Sequence, residues 1–186
     1  ENPEETANWA LSLENELAQH KVLKLVIFTW AEQSPRTCAM WLETLPPLKS
    51  YLLHYKTLAR SWAHDAPTAS IEWGMLLKDV YRLEVLKEVI RVWIKKAPQE
   101  AASWVQYQSR ERNVQPLIST LLHAWFQDSS VKPFDWMMHN IDHISTIDSN
   151  FLYQEWFKKE SPAALAWLCT QVDNRLTSEL KDITVK

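Results

Sequence analysis

At 186 residues, with 46% hydrophobic and 23% charged residues, the chain is long enough for one ordinary domain and lies far from the low-hydrophobicity, high-charge composition of disordered proteins. Its net charge of −3 supplies no field that would concentrate nucleic acid or an anionic membrane, and no apolar run approaches the roughly 18 residues of a membrane span. A single glycine, Gly74, argues against tight β-hairpins, whose turns depend on positive φ, and so favours helices joined by short loops.

Taken in chain order, the predicted elements alternate between two kinds of helix. A first helix opens at Pro3 and carries Trp9, and a second carries Leu23, Val26, Ile27 and Trp30 in the i, i+3, i+4, i+7 spacing of an amphipathic helix. The same two elements then recur. Pro35 leads to Trp41, and the next second helix carries Tyr55, Leu58, Ala59 and Trp62. Pro67 leads to Trp73 and then to Leu86, Val89, Ile90 and Trp93. Pro98 leads to Trp104 and then to Ile118, Leu121, Leu122 and Trp125. In the fifth unit the proline shifts to Pro133, three residues before Trp136, and the second helix keeps Leu152, Tyr153 and Trp156 but has Ser149 where its first apolar residue is due. A sixth first helix opens at Pro162 and carries Trp167.

All eleven tryptophans fall on these two ladders, with steps of 31 or 32 residues. Proline suits the first turn of a helix, where its missing N–H would be unpaired anyway. Ser34 and Ser161 ahead of their prolines are expected N-caps, and Asp65 near Pro67 offers an acceptor at the positive helix end. Small residues such as Cys38, Ala39, Ala69, Ser70, Ala101, Ala102, Ala163 and Ala164 let neighbouring helices approach closely. The expected unit is a first helix of about 12 to 14 residues, a loop, a second helix ending at its tryptophan, and a polar turn.

Neither helix buries its apolar face alone, so the predicted fold is all-α: an α-solenoid of stacked antiparallel helix pairs, about five to six units forming one domain over residues 1–186. The closing stretch RLTSELKDITVK is more polar than its counterparts, as a capping helix or a truncated array would be. The absence of an initiator methionine suggests a processed product or a fragment of a longer chain.

Stretches such as WAHDAPTASIEWGM, WIKKAPQEAASWVQY and WFKKESPAALAWLCT resemble the bacterial repeat written WAxxDPxAAxxWL, a tryptophan-rich, tetratricopeptide-like family of α-solenoids. The resemblance covers essentially the whole chain. Trp104, Tyr107 and Glu111 are also similar to the first helix of half-a-tetratricopeptide repeats, in that one unit alone. The repeat here is shorter than a standard tetratricopeptide unit and lacks its glycine. What the resemblance implies is a curved scaffold presenting a concave face to a peptide or protein.

Candidate contact residues lie where the pattern varies. Lys87, Arg91 and Lys95 form an i, i+4 stripe on one second helix, extended by Arg82, Lys96, Arg110 and Arg112, and moderated by Glu84 and Glu88. Such a patch suits an acidic peptide; its alternative reading is a solvated face. The irregular fifth unit, Pro133 to Asn150, is a candidate partner contact through His139, Asp142, His143 and Asp148, because departures from a local rule concentrate at functional sites. His139 and His143 are also spaced i, i+4, with His123 upstream, but zinc needs three or four converging ligands, and a solvated surface is the simpler reading.

Cys38 and Cys169 lie four units apart, too distant for a disulfide. Free thiols lean toward a reducing compartment, while a periplasmic location behind an upstream signal or anchor stays open. Strict periodicity assigns the tryptophans to packing rather than to ligand stacking, with their indole N–H groups expected to reach carbonyls near helix ends. Phosphate loops, serine elbows and paired-carboxylate motifs are absent, and no cofactor is expected. The leading expectation is a non-catalytic scaffold for a protein or peptide partner, with nucleic acid not expected. The alternative is an accessory or regulatory domain of a larger membrane-anchored or enzymatic protein.

Overall fold

In a computed structural model, the structure describes residues 2–109 and 115–128, together with positions 136, 154 and 158. Among the described residues the regular secondary structure is entirely helical. The helices are α1 (Pro3–Leu11), α2 (Glu16–Gln33), α3 (Pro35–Thr44), a short 3₁₀ turn (Lys49–Tyr51), α4 (Leu52–Asp65), α5 (Pro67–Leu76), α6 (Asp79–Lys96), α7 (Pro98–Ser109) and α8 (Gln115–Asp128). The chain divides into two compact units, Glu1–Lys96 and Ala97–Lys186. The division falls between the end of α6 at Lys96 and Ala97, the residue before Pro98.

In the first unit each first helix packs on the second helix that follows it: α1 on α2, α3 on α4, and α5 on α6. Successive second helices also touch, α2 against α4 and α4 against α6, and α2 and α4 are each followed by a first helix lying against them, α3 and α5. In the second unit α7 packs on α8.

Local chemistry sets the helix ends. Asn2 caps α1 through its Oδ1, which accepts from Glu4 N at 3.1 Å, with Pro3 at the first position and Glu4 and Glu5 in the first turn. Asn15 caps α2 by accepting from Ala18 N at 2.9 Å. The expected Ser34 cap is different: its side chain makes no capping bond. Its backbone does the work instead, the N–H donating to Trp30 O at 2.8 Å and the carbonyl accepting from Cys38 N at 3.2 Å. Ala66 repeats this geometry, donating to Trp62 O at 2.9 Å and accepting from Ser70 N at 3.0 Å. One residue therefore closes a second helix and opens the next first helix, and no hydroxyl is needed. Ser161 lies outside the described residues.

This single-residue junction corrects the expected polar turn. The residues after Trp30, Trp62, Trp93 and Trp125 form the last helical turn, so α2, α4, α6 and α8 each run three residues past these tryptophans. Three first helices are shorter than the expected 12 to 14 residues, 9 in α1 and 10 in α3 and α5, while α7, with 12, matches. α3 stops before Pro46 and Pro47, which cannot donate N–H groups and bias their neighbours to extended backbone. The same prolines delay α4, which is 14 residues long against 18 in α2 and α6.

The core consists of the predicted stripes: all four apolar quartets ending at Trp30, Trp62, Trp93 and Trp125 are buried. In the first unit two second-helix tryptophans meet the first-helix tryptophan eleven residues on, with ring centroids 5.9 Å apart for Trp30–Trp41 and 5.7 Å for Trp62–Trp73. In the second unit Trp125 and Trp136 repeat the contact at 6.5 Å. These spacings lie in the favourable range for tilted aromatic pairs. Trp9 has no described second helix ahead of it and is 57% exposed. Trp156 and Trp167 lie outside the described residues.

Cys38, Ala39, Ser70, Ala101 and Ala102 are buried as the small-residue pattern requires. Gly74 serves close approach rather than a turn: within α5, an added Cβ would stand 3.0 Å from Leu86 Cδ2 and 3.2 Å from Val85 Cγ1 of α6.

Candidate functional site

Three indole N–H groups of the first unit find side-chain acceptors rather than the carbonyls expected. Trp30 Nε1 donates to Thr37 Oγ1 at 3.0 Å, Trp41 to Asn8 Oδ1 at 3.0 Å, and Trp73 to Glu43 Oε1 at 2.8 Å. Carbonyls at the loop end of the first unit are served by phenols: Tyr55 OH donates to Leu42 O and Tyr81 OH to Leu48 O, both at 2.8 Å. Burial pushes both phenols above their ordinary pKa, which keeps them neutral donors. The aromatic groups here are committed to joining helices.

The outward positions of the second helices behave differently. Counted from their tryptophans, the residues six before are Lys24, Lys56 and Lys87, and those two before are Phe28, Arg60 and Arg91. The positions five before are Leu25, Thr57 and Glu88, which are exposed, half-buried and buried in turn. That last series decides what each junction looks like.

Between α4 and α6 the junction is filled by ions. Glu88 is only 5% exposed, and its carboxylate accepts from Arg60 Nε at 2.7 Å and from Arg91 Nη1 at 3.2 Å, with Lys56 Nζ at 3.8 Å. Lys87 is bound to Glu84 at 2.7 Å, and this hydrogen bond holds the Glu84 carboxyl below its ordinary pKa. Arg82 is held by Asp79 at 2.8 Å and by Leu77 O at 3.0 Å. Lys96 donates to His64 O at 2.7 Å. The basic stripe read from the sequence is therefore largely engaged within the protein; Lys95 is exposed. Arg110, Arg112, His139, Asp142, His143 and Asp148 lie outside the described residues.

Between α2 and α4 the junction is open. A groove of about 620 Å³ runs there, within the 300–1,000 Å³ usual for ligand sites. From α2 it takes Lys21, Lys24, Leu25, Phe28 and Glu32, and from α4 Thr57, Arg60, Ser61, His64 and Asp65. Leu25 is 65% and Phe28 47% exposed, large apolar surface for a solvent-facing helix. Reading the stripe on α6 missed this groove. The lysine recurring six residues before Trp30, Trp62 and Trp93 was the available signal, but nothing in the sequence showed which junction an ion cluster would fill.

At the start of α2 and α4, His20 Nδ1 and His54 Nε2 share a hydrogen bond at 2.8 Å with their rings stacked, beside Tyr51. Burial, and then the charge of His20, lower the His54 pKa to about 4. Among the described residues no three His, Cys, Asp or Glu side chains converge as a metal site would require, and no helix is long and apolar enough to cross a membrane.

Comparison of the chain with protein-family models, curated proteins and solved structures finds no match. The site must be read from its own chemistry.

Proposed function

We propose that this chain is a tetratricopeptide-like α-solenoid of about five to six antiparallel helix pairs and serves as a non-catalytic scaffold that binds a protein or peptide partner. The observation that carries this reading is a division of labour within the first unit. Inner faces are consumed by tryptophan contacts between successive pairs, while equivalent outer positions of α2 and α4 line an open groove with an apolar floor and a polar rim. Buried aromatics that only pack, and an exposed surface whose residues vary from unit to unit, are what a repeat scaffold needs.

Affinity capture with the wild-type chain and with a Leu25→Ser, Phe28→Ser variant tests the reading, provided both show the same unfolding midpoint. A partner held by the wild type and lost from the variant is expected. Identical captured sets would remove the groove from the reading. Solution scattering tests the solenoid itself, since a compact globule would contradict it.

A further inference from the structure

We infer that the α2–α4 groove takes an acidic peptide segment bearing apolar anchor residues, its acidic end toward Lys21 and Lys24; this rests on the protein-binding reading above. The argument begins with charge. The chain as a whole carries −3, yet the rim of this groove carries Lys21 and Lys24 on α2; Arg60, also on the rim, is already paired with Glu88. Among the described residues neither Lys21 nor Lys24 is in an ion pair, whereas the equivalent lysines of the neighbouring junction, Lys56 and Lys87, both face acids. Free surface cations beside exposed apolar side chains attract carboxylates, and that attraction gives specificity and orientation more than raw affinity.

The groove is also polarised along its length. Glu32 and Asp65 stand at its far end, in the last turns of α2 and α4. The backbone carbonyls that finish α2 add partial negative charge at that same end, whereas on α4 His64 O already accepts from Lys96 Nζ. An acidic ligand is therefore drawn to one end and repelled at the other, which sets its direction. From Lys21 to Glu32 the groove follows eleven steps of helix, roughly 16 Å at about 1.5 Å per residue. That length seats about five residues of extended chain at about 3.3 Å each, or about three turns of a helix.

Leu25 and Phe28, one turn apart on α2, form the floor. An aliphatic or aromatic residue seated there removes both from water, so apolar anchors are required as well as acids. This requirement separates a peptide from RNA. Both would answer to the lysines, but the carboxylates of Glu32 and Asp65 repel a phosphate backbone along its whole length and repel a peptide only where it is itself acidic.

The test is fluorescence anisotropy on the full chain with a labelled 12-residue peptide of alternating Glu and Leu. Three controls match its length: Lys in place of Glu, Ala in place of Leu, and oligouridylate. Saturable binding of the Glu/Leu peptide is expected at micromolar concentration, weakening as salt rises. Lys21→Glu with Lys24→Glu should weaken it at least about tenfold, as should Phe28→Ser. Neither substitution touches the core, and circular dichroism melts confirm that each variant is folded.

Equal binding of the Lys or Ala peptide overturns the inference, as does preference for oligouridylate. Self-association of the chain that Phe28→Ser abolishes and the peptide does not compete overturns it in favour of a second copy as occupant. If the Glu/Leu peptide fails to bind while Leu25→Ser, Phe28→Ser still loses a captured partner, the scaffold reading stands and the ligand chemistry proposed here is wrong.

Discussion

Arg60, on the second helix of one pair, donates from Nε to the buried carboxylate of Glu88 on the second helix of the next at 2.7 Å. The bond ties α4 to α6, and Arg91 and Lys56 share the same acid. Arg60 is itself 66% exposed, so its Coulomb contribution is screened. Glu88→Ala, which removes the centre of the cluster, is expected to cost about 1–2 kcal/mol, while Arg60→Ala, which leaves two cations on the acid, costs less than about 1 kcal/mol. Urea unfolding of the two variants checks this, and equal losses would mean that the acid is not shared.

The tryptophan ladder predicts unequal costs for equivalent substitutions. Trp41 is 6% exposed and Trp9 57%. Trp41→Ala opens a cavity beside Trp30 and should cost about 3–5 kcal/mol, whereas Trp9→Ala should cost under about 1 kcal/mol. Unfolding midpoints of the two variants distinguish them, and similar losses would show that Trp9 is covered in solution.

His54 gives the protein an acid-sensitive step. Its pKa falls from 6.5 unfolded to about 4 folded, because burial and then His20 disfavour the imidazolium. The unfolded chain therefore binds the extra proton between those values, so this contribution is complete above pH 6.5 and is lost as pH falls toward 4. At about 1.36 kcal/mol per unit the loss is on the order of 3 kcal/mol. Thermal melts across this window should show the decline, and His54→Leu should flatten it. An unchanged slope in the variant would place the titration elsewhere.

Burial raises the Cys38 thiol to about 12 from 9.0, which lowers its thiolate fraction at neutral pH by roughly a thousandfold. In a Cys169→Ser background, alkylation of the native chain should be slower than that of the urea-unfolded chain by at least about a hundredfold. Comparable rates would mean that α3 opens readily.

Two kinds of information meet in this protein. The sequence by itself determined the helical class, the alternation of first and second helices, and the buried stripes from Leu23 to Trp125, because periodicity and proline placement are local properties that each helix obeys alone. It also marked Cys38, Ala39 and Ser70 as close-packing positions. Tertiary structure decided the rest. Ser34 and Ala66 make the same backbone junction despite different side chains, since main-chain bonds to Trp30 and Trp62 fix the geometry. The indole partners Asn8 and Glu43 come from a neighbouring pair 33 and 30 residues away, beyond any local pattern. Above all, Lys24, Lys56 and Lys87 occupy one repeat position, and only the burial of Glu88 against Arg60 separates the sealed junction from the open groove. A charge is neutralised by what lies across the helix interface, and sequence spacing along one helix does not contain that distance.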